Sequence, residues 1–404
     1  MLAPLRSSPA FARLWLGALI SGLGDGLTWI ALQWLMLERS NDSGTAVGLM
    51  LLCFGLPAMF SSAPIGRLID RFGAGPVMIV DNLARGSLIV VIPSLNAFGK
   101  LEVWHVFVIA SLAGVLLPAS QIGIRALVPR LVSDAQLGAA NAGIALTGQI
   151  GTVGPPVLAG FLIERYGTSS VLWLDAISFI AFAALLVGIP NFKLESQNLT
   201  APKGTVPKSP WRVLRQQPNF SSLVLLTITF YIAYGPLEAA LPLLVKRDLN
   251  AGAFEYGLLW TVSGVGIIFG NLFLSKPLSS LRPGLVLPAI TLGFGVVQVL
   301  LAFAPNINVM TACMLLIGVI WGPYTGLEST VLQRLIPSSM HGSMFGARQA
   351  LVSPAGPLGM ALGGLMLAVL SPRWVLGLSA LSCVLAGALA LSSSRMRKLE
   401  SVQT

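Results

Sequence analysis

Charged residues are scarce in this chain. Asp, Glu, Lys and Arg together make up 10% of its 404 residues, against about a quarter in soluble domains. So small a set cannot cover a water-facing surface, so a soluble globular protein is excluded and most of the surface must face lipid. Cysteine is scarcer still. Cys53, Cys313 and Cys383 each fall inside an apolar stretch without Cys-x-x-Cys spacing, which excludes a disulfide framework and a zinc site. The two histidines, His105 and His341, lack metal-ligand spacing, and no metal is expected. No Walker-type glycine-rich run ending in Gly-Lys-Ser/Thr occurs, so no ATP-driven pump is indicated. Neither His-Glu-x-x-His nor Gly-x-Ser-x-Gly is present, which argues against the commonest membrane hydrolases. Neither an enzyme nor a cofactor is expected.

Acidic residues are outnumbered by basic ones, 15 to 25, for a net charge of +10. On a soluble protein this would point to nucleic acid, but no basic patch is interleaved with exposed aromatics. An excess of Lys and Arg in cytoplasmic loops explains the charge more simply. No nucleic-acid partner is expected; the partner the composition implies is the lipid bilayer, with the chain expected to act as a monomer.

What the chain has in abundance is apolar sequence: 55% hydrophobic residues, with 43 Gly and 26 Pro. Apolar segments of about 20 residues cross a bilayer core. They fall near 10–37, 45–66, 75–98, 102–127, 138–163, 168–190, 219–245, 254–280, 284–304, 308–333, 342–369 and 373–393, numbered here as spans 1 to 12. The first is too long for a signal-peptide apolar region and reads as a retained helix. An even number of spans puts both termini on one side. That side collects most of the Lys and Arg, among them Arg6, Arg13, Arg67, Arg71, Arg125, Arg130, Arg334, Arg348 and Arg395. Arg39, Lys100, Arg165, Lys246, Arg247 and Arg373 fall on the other. The richer side is cytoplasmic, so both termini are expected inside a bacterial inner membrane.

The longest polar interruption, 191–217, carries Pro202, Pro207 and Pro210 and little apolar periodicity. It reads as a cytoplasmic linker, with 211–217 as a short surface helix. It separates a bundle at 1–190 from one at 218–404. The halves rhyme: span 5 holds Gly154-Pro155-Pro156 followed by Gly160, and span 11 holds Gly356-Pro357 followed by Gly363-Gly364. The expected fold is an all-α integral membrane protein, with twelve transmembrane helices in two pseudo-symmetric six-helix bundles. A repeated six-helix unit is the sequence sign of a transporter that rocks one half against the other.

Between spans 2 and 3 stands Gly66-Arg67-Leu68-Ile69-Asp70-Arg71-Phe72-Gly73. This resembles the cytoplasmic signature of the major facilitator superfamily, Gly-x-Leu-Ala-Asp-Arg-x-Gly-Arg-Arg. The chain departs from it at Ala74 and Gly75, where the family usually has basic residues. Gly24-Asp25 in span 1, Asp81 with Arg85 in span 3, and Asn141-Ala142 entering span 5 are similar to the branch of macrolide efflux proteins and enterobactin-type siderophore exporters. Gly154-Pro155 with Gly160 looks like an imperfect copy of the superfamily's antiporter motif, and Gly356-Pro357 is its counterpart in the second half. The resemblance implies that spans 1, 4, 7 and 10 line a central cavity, and it favours export.

A charge at the bilayer centre costs about 2.5–3.5 kcal/mol on insertion scales, so charges inside spans mark function or tight pairing. Asp25 sits mid-span between Gly24 and Gly26 and reads as a proton or substrate site, or as a carboxylate that ties span 1 to a partner. Glu238 follows Gly235-Pro236 in span 7, and Glu328 follows Gly322-Pro323 in span 10. Proline removes a backbone bond and breaks helices, and broken helices line cavities. Gln121, just after Pro118, falls on span 4. Tyr234, Trp321 and Tyr324 stand beside the Gly-Pro pairs and could stack on a flat or cationic ligand, although Trp and Tyr also gather at membrane interfaces. Asp81 and Arg85, spaced i, i+4, share a helix face and are expected to pair as a gate. Asp175, near the outer end of span 6, reads as an interface or snorkelling residue. Gly266/Gly270, Gly318/Gly322/Gly326 and Gly359/Gly363 read as helix-packing faces.

Acids in a largely apolar cavity can take up a proton on one side and release it on the other, and a cationic substrate could compete for the same carboxylate. The sequence therefore points to a secondary transporter driven by the proton gradient. Proton-coupled export of an amphipathic drug or secreted metabolite is the leading reading. A proton-symport importer and a non-transport membrane protein (enzyme, scramblase or sensor) stay open as alternatives.

Overall fold

The computed structural model describes residues 2–190, 218–335 and 341–397. The expected linker at 191–217, with its short surface helix at 211–217, lies outside the described residues. Among those described there is helix and no strand, as a lipid environment demands: a spanning segment must satisfy its backbone polar groups within itself.

The membrane-crossing helices are α1 (Pro9–Arg39), α2 (Gly44–Phe72), α3 (Ala74–Ala97), α4 (Val103–Leu131), α5 (Asp134–Tyr166) and α6 (Thr168–Leu186), then α7 (Phe220–Asp248), α8 (Ala253–Ser279), α9 (Pro283–Ala302), α10 (Ile307–Leu335) and α12 (Pro372–Ser392). The eleventh crossing, α11, is split by Ser353 and Pro354 into His341–Val352 and Ala355–Met366. Neither piece is long enough to cross alone. Proline has no N–H to continue the ladder, and the same chemistry divides α10 at Gly322-Pro323 and α4 at Leu117 before Pro118.

Helix starts are locally encoded. Ser8 caps α1, its hydroxyl accepting from the Phe11 N–H at 3.2 Å, with Pro9 in the first turn. Asn306 does the same for α10 through Val309. Both follow the preference for a short polar side chain that satisfies an orphan amide. The α2–α3 connection is a single residue, Gly73, at φ +89°. That left-handed conformation is open to glycine and strained for other residues. The signature segment is therefore not a loop, because Gly66, Arg67, Asp70 and Arg71 are the last turns of α2. Pro236 is likewise not a break: the α-helix runs on through it to Leu243, before a π-turn at Leu244–Asp248.

The chain divides into two compact units. Unit 1 takes in Met1–Asp42, Cys53–Leu199 and Gly252–Thr261. Its core joins Phe11, Leu14, Met78, Leu127 and Phe182. In lipid there is no hydrophobic force between helices, so close backbone packing at small residues substitutes for it. A Cβ at Gly26 would lie 2.2 Å from the Gly151 carbonyl, and one at Gly17 would meet the Phe182 ring at 2.1 Å. These contacts seat α1 on α5 and α6. The first turns of α8 belong to this unit, where Thr261 Oγ1 donates to the Val153 carbonyl and accepts from the Val157 N–H.

Unit 2 takes in Ser43–Leu52, Thr200–Ala251 and Val262–Thr404. Its core gathers Phe220, Leu223, Leu287, Tyr324, Leu332 and Met344. Two seams of small residues hold it. Gly266 and Gly270 face Gly318 and Gly322 along α8 and α10, and Gly359 and Gly363 meet Ile232 and Pro236 along α11 and α7. Gly326, grouped with this face in the sequence, has open space beside it instead. Gly235-Pro236 is thus part of a packing seam.

Candidate functional site: two buried ionic clusters

In unit 1 the polar cluster is assembled from α1, α3, α4 and α6. Arg85 and Asp81, one turn apart on α3, form a two-point pair: Nε to Oδ1 at 3.0 Å and Nη2 to Oδ2 at 3.1 Å. The fork geometry of guanidinium and carboxylate makes this the strong form of an ion pair. Ser120, on α4 just past its break, donates to Asp81 Oδ2 at 2.6 Å and accepts from Arg85 at 3.3 Å. Asn82 adds a bond to the same hydroxyl at 3.1 Å. The Arg85 guanidinium also lies 4.4 Å from the centroid of the Phe179 ring on α6. Arg85 and Asp81 are both buried.

Asp25, on α1, meets this pair differently. Its Oδ1 is 3.4 Å from Arg85 Nη1, the longest of the cluster's ionic contacts, and its side chain is 46% exposed. Arg85 is thus saturated on the Asp81 side and lightly held on the Asp25 side. Asp175 completes the cluster and corrects the sequence expectation. It is no snorkelling residue: it is fully buried, accepting from Thr28 at 2.5 Å and from Ser178 at 3.0 Å. Three carboxylates therefore stand around a single guanidinium.

In unit 2, Glu328 is held by Arg348 through Nε to Oε1 at 2.9 Å and Nη2 to Oε2 at 2.5 Å. Thr227 on α7 donates to the same carboxylate at 2.9 Å and shares a hydrogen bond with Tyr324 at 3.0 Å. Arg348, counted from sequence among the cytoplasmic-side cations within span 11, sits inside α11. The arginine was invisible as a partner because the two residues lie on different helices. Around this pair the aromatics stack: Phe230 on Trp321 at 3.8 Å, Trp321 on Tyr324 at 4.3 Å, and Phe230 on Tyr234 at 5.9 Å. Tyr234 donates to Glu238 at 2.8 Å, one turn along α7.

The structure brings together Asp25, Asp81 and Arg85 in unit 1, and Glu328, Tyr324, Trp321, Tyr234 and Glu238 in unit 2. Gln121, Gly66, Arg67, Asp70, Arg71 and Gly73 stand apart from both clusters. Gln121, Arg67, Asp70 and Arg71 are exposed, while Gly73 is buried in its turn. Of the Gly-Pro elements, Pro155 packs on Gly26 and Gly160 on Ala253, whereas Gly154 and Gly356 have open space beside them. Pro357 is half-buried, and the close glycine contacts of α11 begin at Gly359. Sequence reading missed Thr28, Ser120, Ser178, Thr227 and Arg348. For one of them a signal existed, since Ser178 follows Asp175 at the i, i+3 spacing that shares a helix face.

Helices that bury paired charges at membrane depth are the mark of ion and solute pathways, which places the chain among polytopic transporters. A family model described as Major Facilitator Superfamily matches residues 14–357 and 223–401. The chain belongs to the Major Facilitator Superfamily and is a multi-pass membrane transporter, not an enzyme. It is 25% identical over 371 residues to the multidrug efflux pump Tap of Mycobacterium tuberculosis, covering 88% of this chain and 86% of that one. It is 28% identical over 405 residues to the enterobactin exporter EntS of Salmonella typhimurium, covering 96% and 93%. Among solved structures, a bacterial homologue of the iron transporter ferroportin in an inward-facing state matches with a TM-score of 0.73 at 19% identity, covering 97% and 99%. The nucleoside transporter NupG matches with 0.79 at 11% identity, covering 95% and 99%. These likenesses establish the twelve-helix, two-bundle fold.

Proposed function

We propose that this protein exports a small amphipathic compound, neutral or cationic, from a bacterial cell in exchange for protons, by alternating access and with both termini in the cytoplasm. The observation that carries the reading is Asp25. It combines an accessible side chain with one long contact to a buried arginine. A proton or a cationic cargo would each neutralise Asp25 and loosen that contact, while leaving the two-point Asp81–Arg85 pair in place. Competition for one carboxylate is the simplest physical coupling between two fluxes. The names of the relatives, a multidrug efflux pump and an enterobactin exporter, support the outward direction.

The charge balance supports the cargo class. In unit 1 acids outnumber the arginine, and in unit 2 Arg348 is occupied by Glu328. Neither cluster offers a free cation to an anionic cargo.

Purified protein in sealed vesicles loaded with a pH-sensitive dye tests this directly. Addition of cationic amphiphiles on one side should drive protons the opposite way in the wild type, and Asp25→Asn should abolish that proton movement. Proton-gradient-driven transport by Asp25→Asn at the wild-type rate would refute the coupling role. Protons moving with the cargo would replace export by symport.

A further inference from the structure

Asp175 is a membrane-embedded acid left out of the reading above, and its surroundings are unusual. It is fully buried. Its hydrogen-bond partners are two neutral hydroxyls, Thr28 from α1 and Ser178 from its own helix. It makes no ion pair among the described residues. The charged groups that face it are Asp25 from α1 and Arg85 from α3. Arg85 is already engaged by Asp81 through two nitrogens and by Asp25 through the third, so its charge is spoken for. A carboxylate ion sealed from water beside a second carboxylate, with no cation of its own, is the costliest state available to this side chain. Adding a proton removes that cost.

The seal is formed by α1 itself. A Cβ built on Gly24 would stand 2.2 Å from Asp175 Oδ1 and 2.2 Å from Ser178 Oγ. The carboxyl therefore lies flat against the α1 backbone, one residue from Asp25, in space that only glycine leaves free.

We propose that Asp175 is a second proton-binding residue, which carries its proton while α1 and α6 are closed on each other at Gly24 and surrenders it to water when they part. Asp25 is then the exposed, competing carboxylate and Asp175 the sealed one. The assignment of Asp175 as a proton carrier for transport rests on the proton-coupled reading; its protonated state in this conformation does not.

Infrared spectroscopy of the purified protein separates the two. The wild type should show the carbonyl stretch of a buried protonated carboxyl, and that band should vanish in Asp175→Asn and persist in Asp25→Asn. If Asp175→Asn does not fold, Thr28→Val and Ser178→Ala keep the carboxyl and remove one hydrogen bond each, and both should shift the band to higher frequency. A band unchanged in Asp175→Asn, or unmoved by both hydroxyl variants, overturns the proposal. In sealed vesicles Asp175→Asn should lower the number of protons exchanged per cargo molecule, where Asp25→Asn removes exchange altogether; an unchanged ratio overturns the carrier role. If the wild type exchanges no protons at all, the coupling reading falls and the infrared band still decides the state of Asp175.

Discussion

Removing Arg348 should destabilise unit 2 far more than removing its partner, Glu328. The Glu328 side chain is 1% exposed and that of Arg348 is 18% exposed. In Arg348→Met the glutamate keeps the Thr227 hydroxyl and loses both charged bonds, 2.9 and 2.5 Å long. Stranding one partner of a buried pair costs about 3–5 kcal/mol. In Glu328→Gln the amide oxygen can still accept from Thr227, and the partly exposed guanidinium can turn to water. The expected loss is about 1–3 kcal/mol, that of an imperfectly replaced buried hydrogen bond. The double variant, Glu328→Gln with Arg348→Met, removes both charges and should recover most of what Arg348→Met loses, since neutral replacements of buried pairs are often tolerated. Denaturant unfolding of purified protein in detergent, followed by tryptophan fluorescence, reads this out, with Trp321 reporting from the stack beside the pair. A double variant no more stable than Arg348→Met would refute the reasoning.

Gly26→Val should prevent folding, because its Cβ would stand 2.2 Å from the Gly151 carbonyl of a helix that cannot retreat; a yield of folded protein equal to wild type in size-exclusion chromatography would contradict this. Phe230→Ala, at the centre of the aromatic stack and 1% exposed, should lose about 3–5 kcal/mol of stability in the same unfolding assay. Ser120→Ala removes a bond to each member of the Asp81–Arg85 pair and should cost about 1–3 kcal/mol; a neutral result would mean that the ion pair is self-sufficient.

Much of the fold was legible because lipid imposes one rule on every crossing: a stretch of apolar residues long enough to satisfy its own backbone. The eleventh crossing shows where that rule needs help, since its length is reached only by joining two short helices across Pro354. Proline was ambiguous in the sequence. Pro323 and Pro354 do interrupt helices, while Pro236 sits inside one and packs against Gly363, a distinction set by the neighbouring helix. The candidate site was legible as a set of acids and opaque as a set of partners. Asp81 and Arg85 share a helix, so spacing sufficed. Glu328 and Arg348, Asp25 and Arg85, and Asp175 and Thr28 meet across helices, where one sequence carries no register. Position near a helix end also misled for Asp175, whose depth is decided by the bare backbone of Gly24.

The one-residue joint at Gly73 has a mechanical consequence. A connector this short has no slack, so α2 and α3 behave as two rods bolted end to end, and a tilt of the first must be absorbed at the bolt or handed on to the second. Arg85 stands twelve residues along α3 from that joint, a lever of about 18 Å at 1.5 Å per residue. A rotation of about 5° at Gly73 would therefore sweep the guanidinium's helix by about 1.5 Å, enough to trade its loose grip on Asp25 for none.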